Sequence, residues 1–421
     1  MAPTSQHRDA GKWLIVGLFW LIYFFNQADR QVLFSVFPLV KRDLGLTDTE
    51  LGLLGSSFLW IYAGMVPIAG SLGDVLSRKK IIVAALLVWS VATFSSGLVA
   101  GFAMLVTFRA LTGAGEAFYY PSANSIIGDY HGQSTRALAM GIHQTSLYFG
   151  IVASGALAGY IGQTYGWRPA FLGFGAAGIL LAALVWGTLR EPVRGQSEKQ
   201  FAADSRNMNL RERLAEAFHT PTAVLLMCAF VGMKLVDAAY LTWMPTLLYR
   251  KFGLSLAQAG FHATFWHHAG AAVGVLTGGR LADRFAARSR LSRPLIQAAG
   301  LLLGAPFIFL LGWSGNTLVV YSALGLFGVF RGFYDSNLFA SLYEVVRPEG
   351  RATATGAMLC VAFLTGGAAP VVVGWFSQRF SLATALAATS VFYLAAAAII
   401  ILDCACWFRR DSFRMQKVMA Q

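Results

Sequence analysis

Eight ionisable residues lie inside long apolar stretches of this sequence. Four of them, Asp29, Arg30, Arg109 and Glu116, belong to the N-terminal half. A charge in such a stretch is costly and marks a functional site by default. Carboxylates shielded from water can exchange protons near neutral pH, because burial disfavours their charged form. Arginine stays charged and binds a carboxylate or phosphate through two hydrogen bonds. These four residues predict a proton relay beside an anion-binding site.

The C-terminal half has its own set of charges. Lys234 and Asp237 are three positions apart, and Arg331 and Asp335 are four apart, so each pair can form within one helix. At an offset of 215 residues Glu116 corresponds to Arg331, so the acid of one half is a base in the other. We expect one titrating half and one cationic half. Paired charges that only hold helices in register are the alternative, and for Lys234 and Asp237 we predict this structural role.

Polar and aromatic residues near these charges are further candidates for contact with a substrate, although aromatic residues in apolar helices more often serve packing. His267 and His268 are adjacent and cannot both face one cavity, and no metal-ligand spacing occurs, so we expect neither a metal nor a cofactor. The predicted substrate-binding set is Arg30, Arg109, Tyr23, Asn26, Tyr119, Tyr120, Gln144, Tyr148, His267, Arg331 and Asn337.

The elements that must position these residues are twelve apolar stretches. The chain has 421 residues, of which 56% are hydrophobic and 13% charged. A soluble domain has about 25% charged residues, so a soluble enzyme and a disordered chain are both excluded. The four cysteines show neither a disulfide framework nor metal spacing. The stretches are 13–38, 49–73, 81–99, 101–128, 137–162, 168–189, 221–249, 257–282, 294–313, 316–343, 353–376 and 382–408.

The two halves of the chain are repeats. The matching segments are Gly45-Leu46 with Gly253-Leu254, Gly70–Asp74 with Gly279–Asp283, and Arg136–Gly141 with Arg351–Gly356. Internal repeats of six spans are typical of a transporter built from two bundles. We predict an all-α integral membrane protein with twelve transmembrane helices in two pseudo-symmetric six-helix bundles. The predicted segments are an N-terminal tail (1–12), a first bundle (13–190), a linker (191–219), a second bundle (220–408) and a C-terminal tail (409–421).

Charge predicts the orientation of the spans. If both termini are cytoplasmic, 22 of the 33 Lys and Arg residues fall in cytoplasmic segments and only 6 in external loops. Such a bias is the positive-inside pattern of an inner or plasma membrane protein. The net charge of +13 then reflects topology and contact with membrane lipids, and we expect no nucleic-acid partner. The polar N-terminus lacks a signal-peptide cleavage site.

Two glycine-rich loop segments carry a family resemblance. The segment Gly70–Lys80 and its second copy, Gly279–Arg284, resemble the loop signature of the major facilitator superfamily. The segment Arg109–Ala117 resembles the fourth-span motif that is associated with proton coupling in that superfamily. The antiporter signature of the fifth span is missing, since 137–162 contains no proline, so symport is favoured. The loop residues that the motif implies as a conformational latch are Asp74, Arg78, Asp283 and Arg284.

Within that superfamily, Asn26–Arg30 followed by Glu116–Pro121 is similar to the anion:cation symporter family. The resemblance implies proton coupling by Asp29 and Glu116, and substrate binding or gating by Arg30 and Arg109. Spinster-like lipid transporters share much of this pattern, and the segment Arg190–Gly195 is also similar to them.

We therefore expect a monomeric transporter, not an enzyme, that imports a small organic anion such as a sugar acid together with protons. A lysolipid or sphingolipid carrier is the alternative within transport. A membrane sensor that binds a ligand without transporting it is the alternative from another class.

Overall fold

The structure, a computed structural model, describes residues 5–193, 210–286 and 289–419. These ranges form helices and no strand. The chain divides into two compact units, Met1–Ala203 with Leu254–Phe261, and Asp204–Gly253 with His262–Gln421.

Seven helices precede the central segment of the chain. They are α1 (Ser5–Leu44), α2 (Asp48–Val75), α3 (Arg78–Ser96), α4 (Phe102–Glu116), α5 (Tyr119–Tyr130), α6 (Gln133–Tyr165) and α7 (Trp167–Thr188). The helices that follow are α8 (Leu210–His219), α9 (Pro221–Phe252), α10 (Leu256–Ala286), α11 (Ser292–Trp313), α12 (Thr317–Asp335), α13 (Leu338–Tyr343), α14 (Arg351–Gly366), α15 (Ala369–Arg379), α16 (Leu382–Ala388), α17 (Ser390–Cys406) and α18 (Phe408–Met419). A short 3₁₀ turn at Pro348–Gly350 precedes α14.

Equivalent glycines end the first helix of each half. Gly45 follows α1 with φ of 65°, and Gly253 follows α9 with φ of 64°. This left-handed conformation is strained for residues that carry a Cβ atom, so glycine is the usual residue at such a helix end. The two glycines are 208 positions apart, as the sequence repeat predicts. The repeat is therefore a repeat of backbone geometry.

Helix packing follows the same repeat within each unit. In the first unit α1 packs on α6 and α7, and α3 packs on α4 and α7. In the second unit α9 packs on α14 and α17, and α11 packs on α12 and α17. The predicted pseudo-symmetry is present in these helix pairs.

Each of the twelve predicted apolar stretches is mostly helical. Nine helical segments in the described part of the chain are long and apolar enough to cross a membrane. The stretches that miss this limit are those of α1, of the α4–α5 pair and of α10. The polar residues between Asn26 and Gln31 lower the hydropathy of α1, and Arg109 and Glu116 lower that of the α4–α5 pair. An all-helical membrane fold is confirmed, whereas the number of twelve spans stays a prediction.

Two helices lie in segments for which no structure was predicted. The predicted linker contains α8, and the predicted C-terminal tail forms α18. Helix α1 begins at Ser5, inside the predicted N-terminal tail. Among the basic residues used to predict the orientation, Arg194, Lys199, Arg206 and Arg288 lie outside the described residues.

Candidate functional site

Arg30 and Glu116 form an ion pair that joins α1 to α4. The Arg30 Nε atom donates to a Glu116 carboxylate oxygen. The Arg30 guanidinium also lies over the rings of Phe58 and Tyr62, with its Cζ atom 4.9 and 4.7 Å from their centroids. The Glu116 side chain is fully buried, whereas 21% of the Arg30 side chain is exposed. The cation of this pair is thus accessible and the acid is not.

Asp29 and Arg109 lie beside this pair and are buried. Arg109 Nη1 donates to the backbone carbonyl of Asp29 at 3.4 Å, and its guanidinium lies 5.0 Å from the Phe58 centroid. Neither Asp29 carboxylate oxygen has a hydrogen-bond partner of normal geometry among the described residues. Its electrostatic neighbours are Glu116, Arg109 and the Thr93 hydroxyl. The four residues carry two positive and two negative charges, so the cluster is neutral when all four are ionised.

Two glycines let α4 bring its charges into this cluster. A Cβ atom on Gly113 would lie 2.6 Å from the Phe58 carbonyl oxygen, and one on Gly115 would lie 3.0 Å from the Trp89 backbone nitrogen. Only residues without a side chain permit α2 and α3 to approach α4 this closely. Helix α4 ends at Glu116, before the break at Ala117 and Phe118 that separates it from α5. Glu116 therefore lies at an interrupted helix end.

An aromatic cluster around His143 adjoins the charges. The Tyr119 hydroxyl donates to the Phe19 carbonyl at 2.8 Å, so His143 Nε2, 2.9 Å from the same hydroxyl oxygen, is the donor to it. Tyr23 stacks on His143 with ring centroids 4.8 Å apart. Arg30 and Tyr62 are electrostatic neighbours of Tyr23, which links this aromatic cluster to the charge cluster.

The remaining predicted residues of the first unit differ in accessibility. Tyr120 is exposed and donates to Gln144 Oε1 at 3.3 Å. Asn26 is buried, and its side-chain oxygen accepts from Gln27 at 3.0 Å. Tyr148 is half-buried on α6. Tyr23, an electrostatic neighbour of Arg30, lies 5.6 Å from Tyr120 between ring centroids and so links Arg30 to the Tyr120–Gln144 pair, while Asn26 is buried.

A second charge cluster joins α9 and α12. Asp237 accepts from Lys234 Nζ at 2.7 Å and from Arg331 Nη1. Arg331 Nε also lies 3.2 Å from Asp335. Both predicted local pairs are present, and Asp237 connects them, which the sequence did not predict. His267 Nε2 lies 3.1 Å from Arg331 Nη1 and must accept, because arginine can only donate.

The two adjacent histidines have different surroundings, as predicted. His267 is buried between Tyr240 and Phe327, with ring centroids 4.6 and 4.5 Å away. His268 Nδ1 lies 2.7 Å from the Thr264 carbonyl of the preceding turn. Asn337 is buried at the break between α12 and α13 and donates to the Phe333 carbonyl and Ser336 hydroxyl, each at 3.0 Å.

Arg78, a predicted latch residue at the start of α3, is buried in a network at one end of the first unit. Its guanidinium donates to Asp129 at 2.5 Å and to Ser125 at 2.8 Å. Its backbone N–H donates to Glu191 at 2.8 Å, and Glu191 also accepts from the Ser77 hydroxyl. Although burial alone would raise the pKa of Glu191, these hydrogen bonds lower it below its ordinary value. The side chain of Asp74, the other predicted latch residue here, lies outside the described residues.

The second unit repeats this network with residues that sequence reasoning missed. Arg293 donates to Glu344 at 2.6 Å and to Asp283 at 3.3 Å. Arg293 and Glu344 are each 215 positions beyond Arg78 and Asp129, so the offset of the repeat could have identified them. The predicted latch residue Asp283 thus has an arginine partner, whereas Arg284 is exposed at the end of α10.

A cavity of about 280 Å³ lies elsewhere, beside α8 and α18. Its lining mixes Glu216 and Asp411 with Arg347 and Arg414, and it contains none of the predicted site residues. Glu216 accepts from the Arg347 backbone, and Asp411 accepts from the Thr222 backbone, so these acids stabilise the helix ends around the cavity.

Comparison with known proteins identifies the family. The sequence profile described as Major Facilitator Superfamily matches residues 19–370 and, in a second match, 251–418. The chain belongs to this superfamily. It is therefore a multi-pass membrane transporter and not an enzyme, and the expected resemblance to the superfamily is confirmed.

Relatives of this transporter include members of both predicted groups. It is 28% identical to the probable galactarate/D-glucarate transporter of Bacillus subtilis, covering 79% of this chain and 78% of the relative. It is 27% identical to the probable sulfoacetate transporter of Cupriavidus necator, covering 89% of each chain. Protein spinster homolog 1 of Xenopus laevis is 26% identical, covering 87% of this chain and 73% of the relative.

The fold of this transporter also matches a solved structure. A crystal structure of a bacterial homolog to the human lysosomal transporter spinster, in an inward-facing and occupied conformation, matches with a TM-score of 0.82. The two chains are 25% identical, and the match covers 94% of this chain and 97% of that one. The predicted major facilitator fold is confirmed.

Proposed function

We propose that this protein imports a small organic anion, such as a sugar acid, together with protons by alternating access. The observation that carries the proposal is the Arg30–Glu116 pair, in which an accessible arginine is bound by a buried acid. The names of the galactarate/D-glucarate and sulfoacetate transporters support a carboxylate or sulfonate substrate.

Charge balance gives the coupling mechanism. With Asp29, Arg30, Arg109 and Glu116 ionised, the cluster is neutral, and a substrate anion would add an uncompensated charge in a poorly polarisable environment. A proton on Glu116 removes the partner of Arg30 and leaves the cluster with a positive charge. Arg30 can then donate to a substrate carboxylate. Asp29 is buried, and its carboxylate oxygens have no hydrogen-bond partner of normal geometry in the part of the chain that the structure describes, so it is the second proton-coupling residue in this proposal.

Arg109 has a different role because it is buried. It contacts the Asp29 backbone and the Phe58 ring, so it supplies positive charge to the cluster without reaching the accessible side. Tyr23, Tyr120 and Gln144 provide hydroxyl and amide groups near Arg30, which suits a hydroxylated acid. We place both termini in the cytoplasm of a cell whose inner or plasma membrane holds the protein as a monomer.

A lysolipid or sphingolipid substrate is the second candidate. The fold match to the bacterial spinster homolog and the relative in Xenopus laevis favour it. Lipid transport would need binding of a long apolar chain, so binding of lysolipids but of no sugar acid or dicarboxylate by the purified protein would replace the organic-anion proposal.

Transport in proteoliposomes tests the coupling. D-galactarate, the substrate in the name of one relative, should accumulate against its gradient when the external medium is more acidic. Glu116→Gln should abolish this accumulation and keep exchange of labelled for unlabelled D-galactarate across the membrane. Undiminished uphill uptake by Glu116→Gln would remove Glu116 from the coupling mechanism.

A further inference from the structure

Each unit contains one ion pair between its first helix and the helix that carries the equivalent of Glu116. In the first unit the pair is Arg30–Glu116, and in the second it is Asp237–Arg331. Each unit adds one more acid and one more base to this pair. In the first unit they are Asp29 and Arg109, and both are buried.

The added residues of the second unit, Lys234 and Asp335, are accessible instead. The Lys234 side chain is 16% exposed and the Asp335 side chain is 31% exposed. Lys234 gives one hydrogen bond to Asp237 and lies 4.4 Å from the Phe363 centroid. An ammonium group has three donors, so an entering anion can bind Lys234 without displacing Asp237.

The charges of this cluster nevertheless cancel. Lys234 and Arg331 are opposed by Asp237 and Asp335, and His267 is neutral because it accepts from Arg331. Binding of a carboxylate would leave one uncompensated negative charge inside the membrane. A proton on one of the two acids would restore neutrality.

Geometry distinguishes the two acids. Both carboxylate oxygens of Asp237 are used, one by Arg331 and one by Lys234, and its side chain is 6% exposed. Within the described residues Asp335 has one ion-pair partner, Arg331 at 3.2 Å, and it is the more accessible acid. The titratable and charged groups that interact with Asp335 are Arg331 and Tyr334 on its own helix, Lys234 and Asp237 on α9, and Tyr393 on α17.

We propose that this cluster is a second anion-binding site, which takes an organic carboxylate at Lys234 when Asp335 binds a proton. The inference rests on the proposed anion transport and adds a second proton site to it. Asp237 is then a positioning residue that keeps Lys234 and Arg331 in place, and Asp335 is the proton acceptor. Substrate binding and proton uptake are linked here without any involvement of Glu116.

Equilibrium binding of D-galactarate to the purified full-length protein tests this. Binding is measured by calorimetry from mildly acidic to mildly alkaline pH in an Asp29→Asn/Glu116→Gln background, where neither proposed proton-coupling acid of the first unit titrates. In that background affinity should still fall as the pH rises. Adding Asp335→Asn should raise the affinity for D-galactarate at alkaline pH to the value measured at acidic pH. The expected gain is at least ~5-fold, the lower end of the usual coupling between two ligands. Asp335→Glu, which can still titrate, should keep the pH dependence.

Lys234→Gln should weaken binding at every pH by a similar factor. Asp335→Asn with an unchanged pH profile, or Lys234→Gln with unchanged affinity, would overturn this inference and leave the proposed transport standing. Failure of the wild-type protein to bind D-galactarate, sulfoacetate or any other organic anion at every pH would overturn both. Thermal unfolding of each variant verifies that it is folded under the conditions of the assay.

Discussion

Asp237 and Arg331 form an ion pair at the positions that correspond to Arg30 and Glu116, with acid and base exchanged. The spacing is 207 positions for the first members and 215 for the second, close to the offsets of the glycine and loop repeats. The same pair of positions thus forms an ion pair in both units, with the base on the first member in one unit and the acid on the first member in the other. Removal of the acid of this pair has different consequences in the two units, because Glu116 neutralises one accessible cation, Arg30, and Asp237 neutralises two, Lys234 and Arg331.

Breaking the Arg30–Glu116 ion pair should destabilise the protein. Arg30→Ala leaves a buried carboxylate without its partner and should lower the free energy of unfolding by about 3 kcal/mol. Adding Glu116→Ala should recover part of that loss, since the buried charge that lost its partner is then removed. Arg168→Ala is the control, because the Arg168–Asp43 pair is largely exposed and should contribute about 1 kcal/mol or less. Unfolding of the purified variants measures all three, and a double variant less stable than Arg30→Ala would contradict the argument.

Packing at Gly113 should be needed to hold the charge cluster. Gly113→Ala places a methyl group 2.6 Å from the Phe58 carbonyl, so α2 and the Phe58 ring beneath Arg30 and Arg109 must move. Such overpacking costs about 1–3 kcal/mol, and we expect weaker D-galactarate uptake as well as lower stability. Gly64→Ala on the same α2 helix meets nothing within 4 Å and is the matched control. Equal uptake by the two variants would show that close packing at Gly113 does not position the site.

Much of this site could be predicted from the sequence, because its charges lie in apolar stretches where charges are rare. The correspondence of Glu116 and Arg331 followed from the repeat alone. The Asp237–Arg331 contact could not be predicted from the repeat, because each of these residues already had a possible partner three or four positions away in the sequence. Contacts between helices that are distant in sequence depend on helix rotation, which a repeat offset does not specify.

The acidic partners of Arg78 and Arg293 were missed for a related reason. Asp129 and Glu344 lie near helix ends, where an acidic residue is ordinary, and only the fold brings them to Arg78 and Arg293. Helices α8 and α18 were missed because their polar composition resembles that of a linker or tail. Each has a buried face, shown by Ala217 in α8 and Phe408 in α18. Tertiary packing stabilises such short helices more than their own sequence does.

The network around Arg78 should make stability depend on pH. The pKa of Glu191 is lower in the folded protein than its ordinary value of 4.5, because the hydrogen bonds from Ser77 and Arg78 outweigh the effect of burial. An acid of this kind stabilises the fold above its unfolded pKa, and that contribution is lost as the pH falls through the folded pKa. Glu191→Gln should therefore lower the unfolding temperature at neutral pH and progressively less as the pH drops below 4.5. A stability difference between wild type and Glu191→Gln that is constant across this range would contradict the assignment.

Tyr119 should have a structural role and Tyr120 a substrate-binding role, although the sequence placed both in the predicted substrate-binding set. Tyr119 is fully buried, and its hydroxyl bonds the Phe19 carbonyl and His143 Nε2. Tyr119→Phe leaves the buried His143 Nε2 without this partner and should cost about 1–3 kcal/mol of stability. Tyr120 is exposed and has one long bond to Gln144, so Tyr120→Phe should leave stability nearly unchanged and raise the KM for D-galactarate. Unfolding curves and initial uptake rates of the two variants, measured side by side, make this comparison. An unchanged KM in Tyr120→Phe would exclude its hydroxyl from the binding site.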